Sequence, residues 1–351
     1  MATDELIARA SKLRAEEWPI ADLEAVEACP VCDNADRSLL YDDVWDGSFL
    51  TAPGYWSLWR CEKCRSAYLD PRPTQASIGR AYAQYYTHVA SAAIPLKTGL
   101  ARIKEMIGNG YRNGRYGTSL EPSSNLGMLV GNLIPSTRRQ TDQTFRFLPH
   151  AAEPGRRLLD VGCGAGDYLA VASQAGWDCF GADPDPAAAA IGTSRGFEVR
   201  QGGIEAWHDS LGSFDAVTMN HVIEHVPDPR ETIEAVFALL KPGGQFYCDT
   251  PNLDAVSLAA FGPDWRGLET PRHLVLFSYD ALYGLLRDAG FVAIRQEIIP
   301  SPLPFLIAES ERMMATNAPG SRALPTDVAR LKDQPTGPNA EFLTFTCRRP
   351  S

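Results

Sequence analysis

From residue 156 onward, short apolar runs alternate with longer stretches in which apolar residues recur every three or four positions. RRLLDVG (156–162), DCFGADP (178–184), FEVRQGG (197–203), FDAVTMN (214–220) and GQFYCDTP (244–251) have the length and β-branched or aromatic content of strands. Between them GDYLAVASQAG (166–176), DPAAAAIGTSRG (185–196) and DPRETIEAVFALLK (228–241) carry helical spacing. SYDALYGLLRDAG (278–290) predicts a further helix, and GFVAIRQEII (290–299) and EFLTFTCRR (341–349) predict a sixth and a seventh strand. Strands alternating with helices predict a doubly wound α/β fold with a mostly parallel sheet and a ligand crevice at the carboxyl ends of the strands. The Pro-rich stretch from about 301 to 340 lacks periodicity and reads as irregular.

The first half is patterned differently. Leu6, Ala10, Leu13 and Trp18 suit one face of a charged helix within residues 1–28. Residues 29–90 hold two Cys-x-x-Cys pairs, several tryptophans and the turn-rich DPRPT, and residues 91–150 are helical pieces broken by Gly, Asn and Ser. Residues 151–351 make the α/β domain.

Composition adds exclusions. A net charge of −10 argues against a protein built to grip nucleic acid or an anionic membrane. The N-terminus lacks the apolar core of a signal peptide, no stretch has the length of a membrane span, and the cytoplasm is the expected compartment. The cysteines CPVC (Cys29, Cys32) and CEKC (Cys61, Cys64) have the spacing of two knuckles clasping one structural zinc through four thiolates, with a hairpin or loop filling the long gap between them.

GxGxG between the first strand and its helix places Gly162, Gly164 and Gly166 where backbone must approach a ligand closely. Three residues narrow the ligand. Asp160 precedes the glycines and suits a ligand bearing an ammonium and a sulfonium better than a pyrophosphate. Asp183 ends the second strand, where a carboxylate accepts from both ribose hydroxyls. No GKS or GKT follows, so a phosphate-cradling loop is excluded.

LLDVGCGAG, GADPD, FDAVTMNHVIEHVPDP, LLKPGGQFYCDTPN and LLRDAGF resemble, in order and spacing, the motifs of class I S-adenosylmethionine-dependent methyltransferases. The resemblance covers about residues 156–299. It implies a seven-stranded Rossmann-like sheet whose last strand is antiparallel, with S-adenosylmethionine passing over Gly162, Gly164 and Gly166. It further implies Asp160 near the methionine end, Asp183 at the ribose, Ile204 near the adenine, and Asn220 and His221 beside the transferred methyl. Ile204 equally suits the core, and Tyr168 and Tyr247 read as packing. The CxxC pattern followed by RSAYLDPRPT and YAQYY resembles the N-terminal zinc-binding module of some bacterial small-molecule and sugar methyltransferases. That resemblance implies a module packed over the crevice, with Tyr82, Tyr85 and Tyr86 as pocket or core residues.

Methyl transfer to an alcohol needs a base, for which histidine is suited near neutral pH. His273, in WRGLETPRHLVLFS after the fifth strand, is the first candidate, and His221 the second. Trp265, Arg266 and Arg272 share that loop and are expected to face an acceptor, while His88, His150 and His208 read as surface residues. NHVIEHVPDP resembles the corresponding segment of the ubiquinone-pathway O-methyltransferases, where metal dependence occurs. Here the preferred reading is that Glu224 and His225 anchor a helix start; the lesser one is a divalent ion held by His221 and His225, at i and i+4, with Glu224. The WRGLETPRHL form resembles methyltransferases of glycan or natural-product assembly. The expected function is O-methylation of a small, sugar-containing or natural-product acceptor, with no nucleic-acid or membrane partner. The alternatives are N- or C-methylation, a nucleic-acid or protein methyltransferase that reads through its zinc module, and a non-catalytic binder of the cofactor.

Overall fold

The computed structural model describes residues 3–83, 98–151, 153–317, 328–332, 334 and 336–351. Tyr85, Tyr86 and His88 lie outside them. Helix α1 (Thr3–Ala15) leads to strands β1 (Leu23–Glu24), β2 (Arg37–Val44), β3 (Trp56–Cys61), β4 (Ala67–Leu69) and β5 (Arg72–Pro73). Ala10 is buried with Leu6 and Leu13 against Trp45 and Leu50. Trp18 lies beyond the helix end, because Pro19 pushes the residue before it out of helical geometry. It packs edge-on against Trp56 at 5.5 Å instead. The charged N-terminal helix is therefore shorter than residues 1–28, and the chain after it joins the cysteine-bearing region.

Helices α2 (Gly99–Tyr116), α3 (Gly127–Leu133) and α4 (Pro135–Thr144) bridge to the α/β domain. Its elements follow as β6 (Arg157–Val161), α5 (Asp167–Gln174), β7 (Asp178–Asp183), α6 (Pro186–Ser194), β8 (Glu198–Gln201), β9 (Phe214–Asn220), α7 (Pro229–Leu239) and β10 (Leu240–Pro251). Helix α8 (Val256–Phe261), strand β11 (Val275–Leu276), helix α9 (Tyr279–Asp288), strand β12 (Val292–Gln296), helix α10 (Leu303–Asn317) and strand β13 (Phe342–Arg348) complete it. The seven-stranded sheet has the order β12-β13-β10-β9-β6-β7-β8, with β13 antiparallel to both neighbours. The strand pattern predicts the doubly wound sheet, and the family resemblance implies this Rossmann-like form with an antiparallel last strand; the chain reverses on either side of β6 and β9 so that a crevice opens there.

Two expectations change. The 301–340 stretch is not wholly irregular, because Leu303, Leu306, Met313 and Met314 bury one face of α10. Pro304 sits in its first turn, where a missing N–H costs nothing; the dense prolines masked the helical period. The cysteine region also does not stand alone. The β2–β3 hairpin fills the gap between the cysteine pairs, and β11, from the α/β domain, pairs with β4 to close a four-stranded sheet.

The loop leading into β11 ties the two regions through Arg272, which is 0% exposed. Its Nη2 donates to Asp46 Oδ1 at 2.5 Å, and its Nη1 donates to Asp46 Oδ2 at 3.1 Å and to the Ala81 carbonyl at 2.8 Å. Asp46 is equally buried and also accepts from the backbone N–H groups of Phe49, Thr51 and Ala52. Arg272 is thus a staple between the regions and presents nothing to an acceptor. Trp265, also 0% exposed, donates from Nε1 to Ser257 Oγ at 2.6 Å and is likewise core. Arg272→Met leaves the Asp46 carboxylate buried without its countercharge. Urea unfolding should show a loss of about 3–5 kcal/mol; a loss below about 1 kcal/mol would mean water reaches the pair.

Candidate active site

The turn after β6 is built on glycines with left-handed backbone. Gly162 has φ +70°, and a Cβ there would strike Val222. Gly164 has φ +54°, and a Cβ there would meet no atom of the described residues within 4 Å, which leaves space for a ligand against this backbone. Gly166 caps α5. Asp183 closes the turn from β7: its Oδ2 accepts from Gly164 N at 2.8 Å and its Oδ1 from Asp185 N at 3.0 Å. A carboxylate has about four acceptor sites, so capacity for two hydroxyls remains. Ile204 lies just past β8 and packs into the main core.

Asp160 is buried beneath the glycine turn. Its Oδ1 accepts from Arg146 and from Thr218 Oγ1, while its Oδ2 is buried with no hydrogen-bond partner among the described residues. Burial raises its pKa, against the pull of Arg146. The Arg146 guanidinium lies 3.6 Å from the centre of the Tyr168 ring and 6.0 Å from that of Tyr247. Tyr168 and Tyr247 therefore pack, as expected, but what they pack around is a cation. This changes the electrostatics: Asp160 is a member of an ion pair, not an isolated charge, whereas Asp183 has no ion-pair partner among the described residues. Arg146 has no motif to announce it; it sits with φ +50° in the bend that follows α4.

Four groups meet at the carboxyl ends of β9 and β10. His221 directly follows β9 with φ +54°, its N–H bonded to the Asp249 carbonyl at 2.8 Å. Such a backbone is costly for a non-glycine residue and clusters at working sites. Its Nδ1 lies 3.3 Å from Glu224 Oε1 and its Nε2 3.6 Å from Asp249 Oδ2, with the side chain 35% exposed. Burial alone would lower its pKa; the Glu224 hydrogen bond and the Asp249 charge overturn this and raise it to about 9. Glu224 is buried, accepts from Thr250 Oγ1 at 2.9 Å, and is held down to about 2 against its burial by His221 and His225. Asn220, beside His221, accepts from the Tyr247 hydroxyl at 3.2 Å.

His273 occupies a different environment. It is 4% exposed, and its Nδ1 donates to the Gly267 carbonyl at 2.8 Å. Burial pushes its pKa down to about 4, although Glu269 and Glu224 lie near its Nε2 at 3.8 and 3.9 Å. His225 Nδ1 lies 2.9 Å from the Arg272 carbonyl and 3.0 Å from the Tyr82 hydroxyl, so the cysteine region reaches the site through Tyr82. One ligand atom each from Glu224, His225 and His273 falls within 4.8 Å of the others, a set with His273 where the sequence suggested His221 beside Glu224 and His225. Helix α7 is started instead by Asp228, whose side chain accepts from Glu231 N. Glu224 and His225 turn inward, and the Glu224 carbonyl accepts from Leu274 N at 2.8 Å. His150 and His208 are exposed and bonded to the Ala175 and Glu205 carbonyls.

The four cysteines of the N-terminal region converge. Cys29 Sγ is 3.6 Å from Cys64 Sγ, Cys32 Sγ is 3.5 Å from Cys61 Sγ, and all four lie within 4.8 Å of one another. The two knuckles repeat one geometry. Asp33 N bonds the Cys29 carbonyl and Arg65 N the Cys61 carbonyl, and Asp33 and Arg65 have φ +58° and +65°.

A methyltransferase-domain family model matches residues 136–296. The ubiquinone biosynthesis O-methyltransferase of Ruegeria pomeroyi is 32% identical over 176 residues, which cover 46% of this chain and 71% of that protein. The chain belongs to the class I S-adenosylmethionine-dependent methyltransferases. The Methylococcus capsulatus enzyme of the same name is 37% identical over 134 residues, 35% of this chain and 56% of that one. Among solved structures, phosphoethanolamine N-methyltransferase 2 of Haemonchus contortus aligns with a TM-score of 0.46 at 16% identity, over 81% of this chain and 63% of that one. This methyltransferase thus combines a family sheet with a cysteine-bearing region that supplies a side chain to its crevice.

The charge states can be read by NMR. The His221 ring should titrate near pH 9 and His273 near pH 4 in the ligand-free protein. With a folded pKa above the ordinary 6.5, His221 contributes stability that is complete below pH 6.5 and lost as pH rises through about 9. Glu224, lowered from 4.5 to about 2, contributes stability present above pH 4.5 and lost as pH falls through 2. A His221 midpoint near 6.5 would contradict the two-carboxylate cradle.

Proposed function

We propose that this methyltransferase methylates an oxygen of a small hydroxylated acceptor, of the sugar-containing or natural-product kind, with His221 as the group that takes the acceptor proton. The carrying observation is the exposure contrast: His221 has 35% of its side chain open between two carboxylates, whereas His273 is sealed and bonded to backbone. The O-methyltransferase names of the relatives favour oxygen as the acceptor atom.

The residues fit S-adenosylmethionine. Asp160 Oδ2, buried without a partner, matches an ammonium donor, and Arg146 beside it matches a carboxylate. Asp183 would take the ribose hydroxyls, the open space over Gly164 would admit the adenosyl moiety, and Ile204 would line the adenine. When bound, the cofactor supplies an electrophilic methyl on a sulfonium, and the chain has to align the acceptor with it. Glu224 and Asp249 orient the His221 ring and stabilise its protonated form after it takes the proton. Beside a positive ligand the ring's pKa falls from about 9 toward neutrality, which frees it to act as a base. His273, neutral and buried, holds the floor in place.

The same reading gives the cysteines a structural zinc. A tetrahedron with Zn–S bonds of about 2.3 Å has edges of roughly 3.8 Å. The observed 3.5 and 3.6 Å separations are close to that and far from the roughly 2.05 Å of a disulfide. Cys29, Cys32, Cys61 and Cys64 would close the metal off from substrate and staple a region with a modest core.

Asp183→Ala should weaken cofactor binding in calorimetry by about 1.5–3 kcal/mol, through loss of charge-assisted hydrogen bonds; an unchanged dissociation constant would remove the ribose role. His221→Asn should bind cofactor normally and lose about 10²–10⁴-fold in turnover. If His273→Ala shows that loss and His221→Asn does not, the base is His273. Elemental analysis should find one zinc per chain, lost in Cys61→Ser; a metal-free, fully folded protein would contradict the zinc reading.

A further inference from the structure

Helices α2 to α4 reverse the electrostatic character of the chain. Between residues 98 and 144, Arg102, Lys104, Arg112, Arg115, Arg138 and Arg139 stand against Glu105, Glu121 and Asp142, a local charge of +3 in a protein of −10. The same stretch carries a concentration of exposed large apolar side chains. Gly127 and Gly131 turn one face of α3 onto α2, where Gly110 and the Tyr111 ring leave no room for a Cβ. The opposite face presents Leu126, Leu129 and Leu133, spaced three and four residues apart, with Leu129 60% and Leu133 72% exposed. Ile134, at the end of α3, is exposed as well, and so are Leu100 and Ile103 in the first turns of α2, neighbours in sequence of Arg102 and Lys104.

We infer that this helical face docks on an anionic lipid surface. Exposed leucine and isoleucine beside arginine and lysine is the chemistry of an interfacial helix, which buries apolar side chains at the acyl boundary while its cations meet lipid phosphates. A second copy of the chain is a poorer occupant, since a symmetric contact would set one +3 face against another. Nucleic acid would match the charge but not the leucines. The acidity of the whole chain argues against such a surface only on average; the sign is inverted where the apolar residues are. Helix α4, the next element in the chain, runs directly into the bend that holds Arg146.

Co-sedimentation of the full-length protein with phosphatidylcholine vesicles, with and without phosphatidylglycerol, tests this. Binding is expected to the vesicles containing phosphatidylglycerol and to weaken when salt rises from about 0.1 M to about 1 M. Leu129→Ser/Leu133→Ser should weaken it about tenfold or more through lost apolar burial. Arg102→Glu/Lys104→Glu should abolish the preference for the anionic vesicles, with the melting temperature unchanged. Leu133→Ser alone serves if the double variant melts earlier. No binding to anionic vesicles at low salt, or binding that survives both variants, would overturn the inference. So would a dimer in solution that the leucine substitutions convert to monomer, since a second copy would then cover the face.

Discussion

The buried pair between Arg272 and Asp46 is the constraint on which the arrangement of the site rests. Two ions with 0% exposure survive only because every oxygen and most guanidinium N–H groups are satisfied, and the partners come from both regions of the chain. The pair fixes the 266–278 loop. That loop in turn supplies β11 to the cysteine-region sheet, the Arg272 carbonyl to His225, and Leu274 N to the Glu224 carbonyl. Glu224, so held, sets the angle and charge of His221. A side chain at the crevice thus owes its position to a carboxylate more than 170 residues earlier in the chain.

Electrostatics at the site divides the histidines by environment. Both lie close to carboxylates, yet His221 is raised to about 9 and His273 lowered to about 4. The difference is solvent and geometry: His221 has carboxylates facing both ring nitrogens, whereas His273 has a backbone carbonyl on one nitrogen and longer separations on the other. Environments that push two similar groups apart in this way separate their roles.

The sheet was legible in the sequence because strand and helix periods alternate cleanly and the glycine turn sits where strand meets helix. Asp160 lies in β6, Gly164 in the turn after it and Asp183 at the end of β7, the positions that the strand pattern predicts. Other features had no local signature. Arg146 lies in a stretch without a motif, and only the tertiary fold carries it under Asp160. Trp265 and Arg272 sit in a loop that sequence reasoning points at an acceptor, but long-range partners at Ser257 and Asp46 draw them into the core. Helix α10 was hidden by prolines at its start. The cysteine spacing was readable, whereas the strand that completes their sheet comes from some 200 residues downstream.

If His221 takes the acceptor proton, the reactive face of the crevice lies at its ring, with His273 beneath it. A crystal structure with S-adenosylhomocysteine bound tests it most directly. The expected result is the ribose on Asp183, the amino group at Asp160, and the sulfur facing the His221 ring, with His273 still bonded to the Gly267 carbonyl. A sulfur facing His273 across a rearranged loop, or a ligand seated away from the glycine turn, would contradict it.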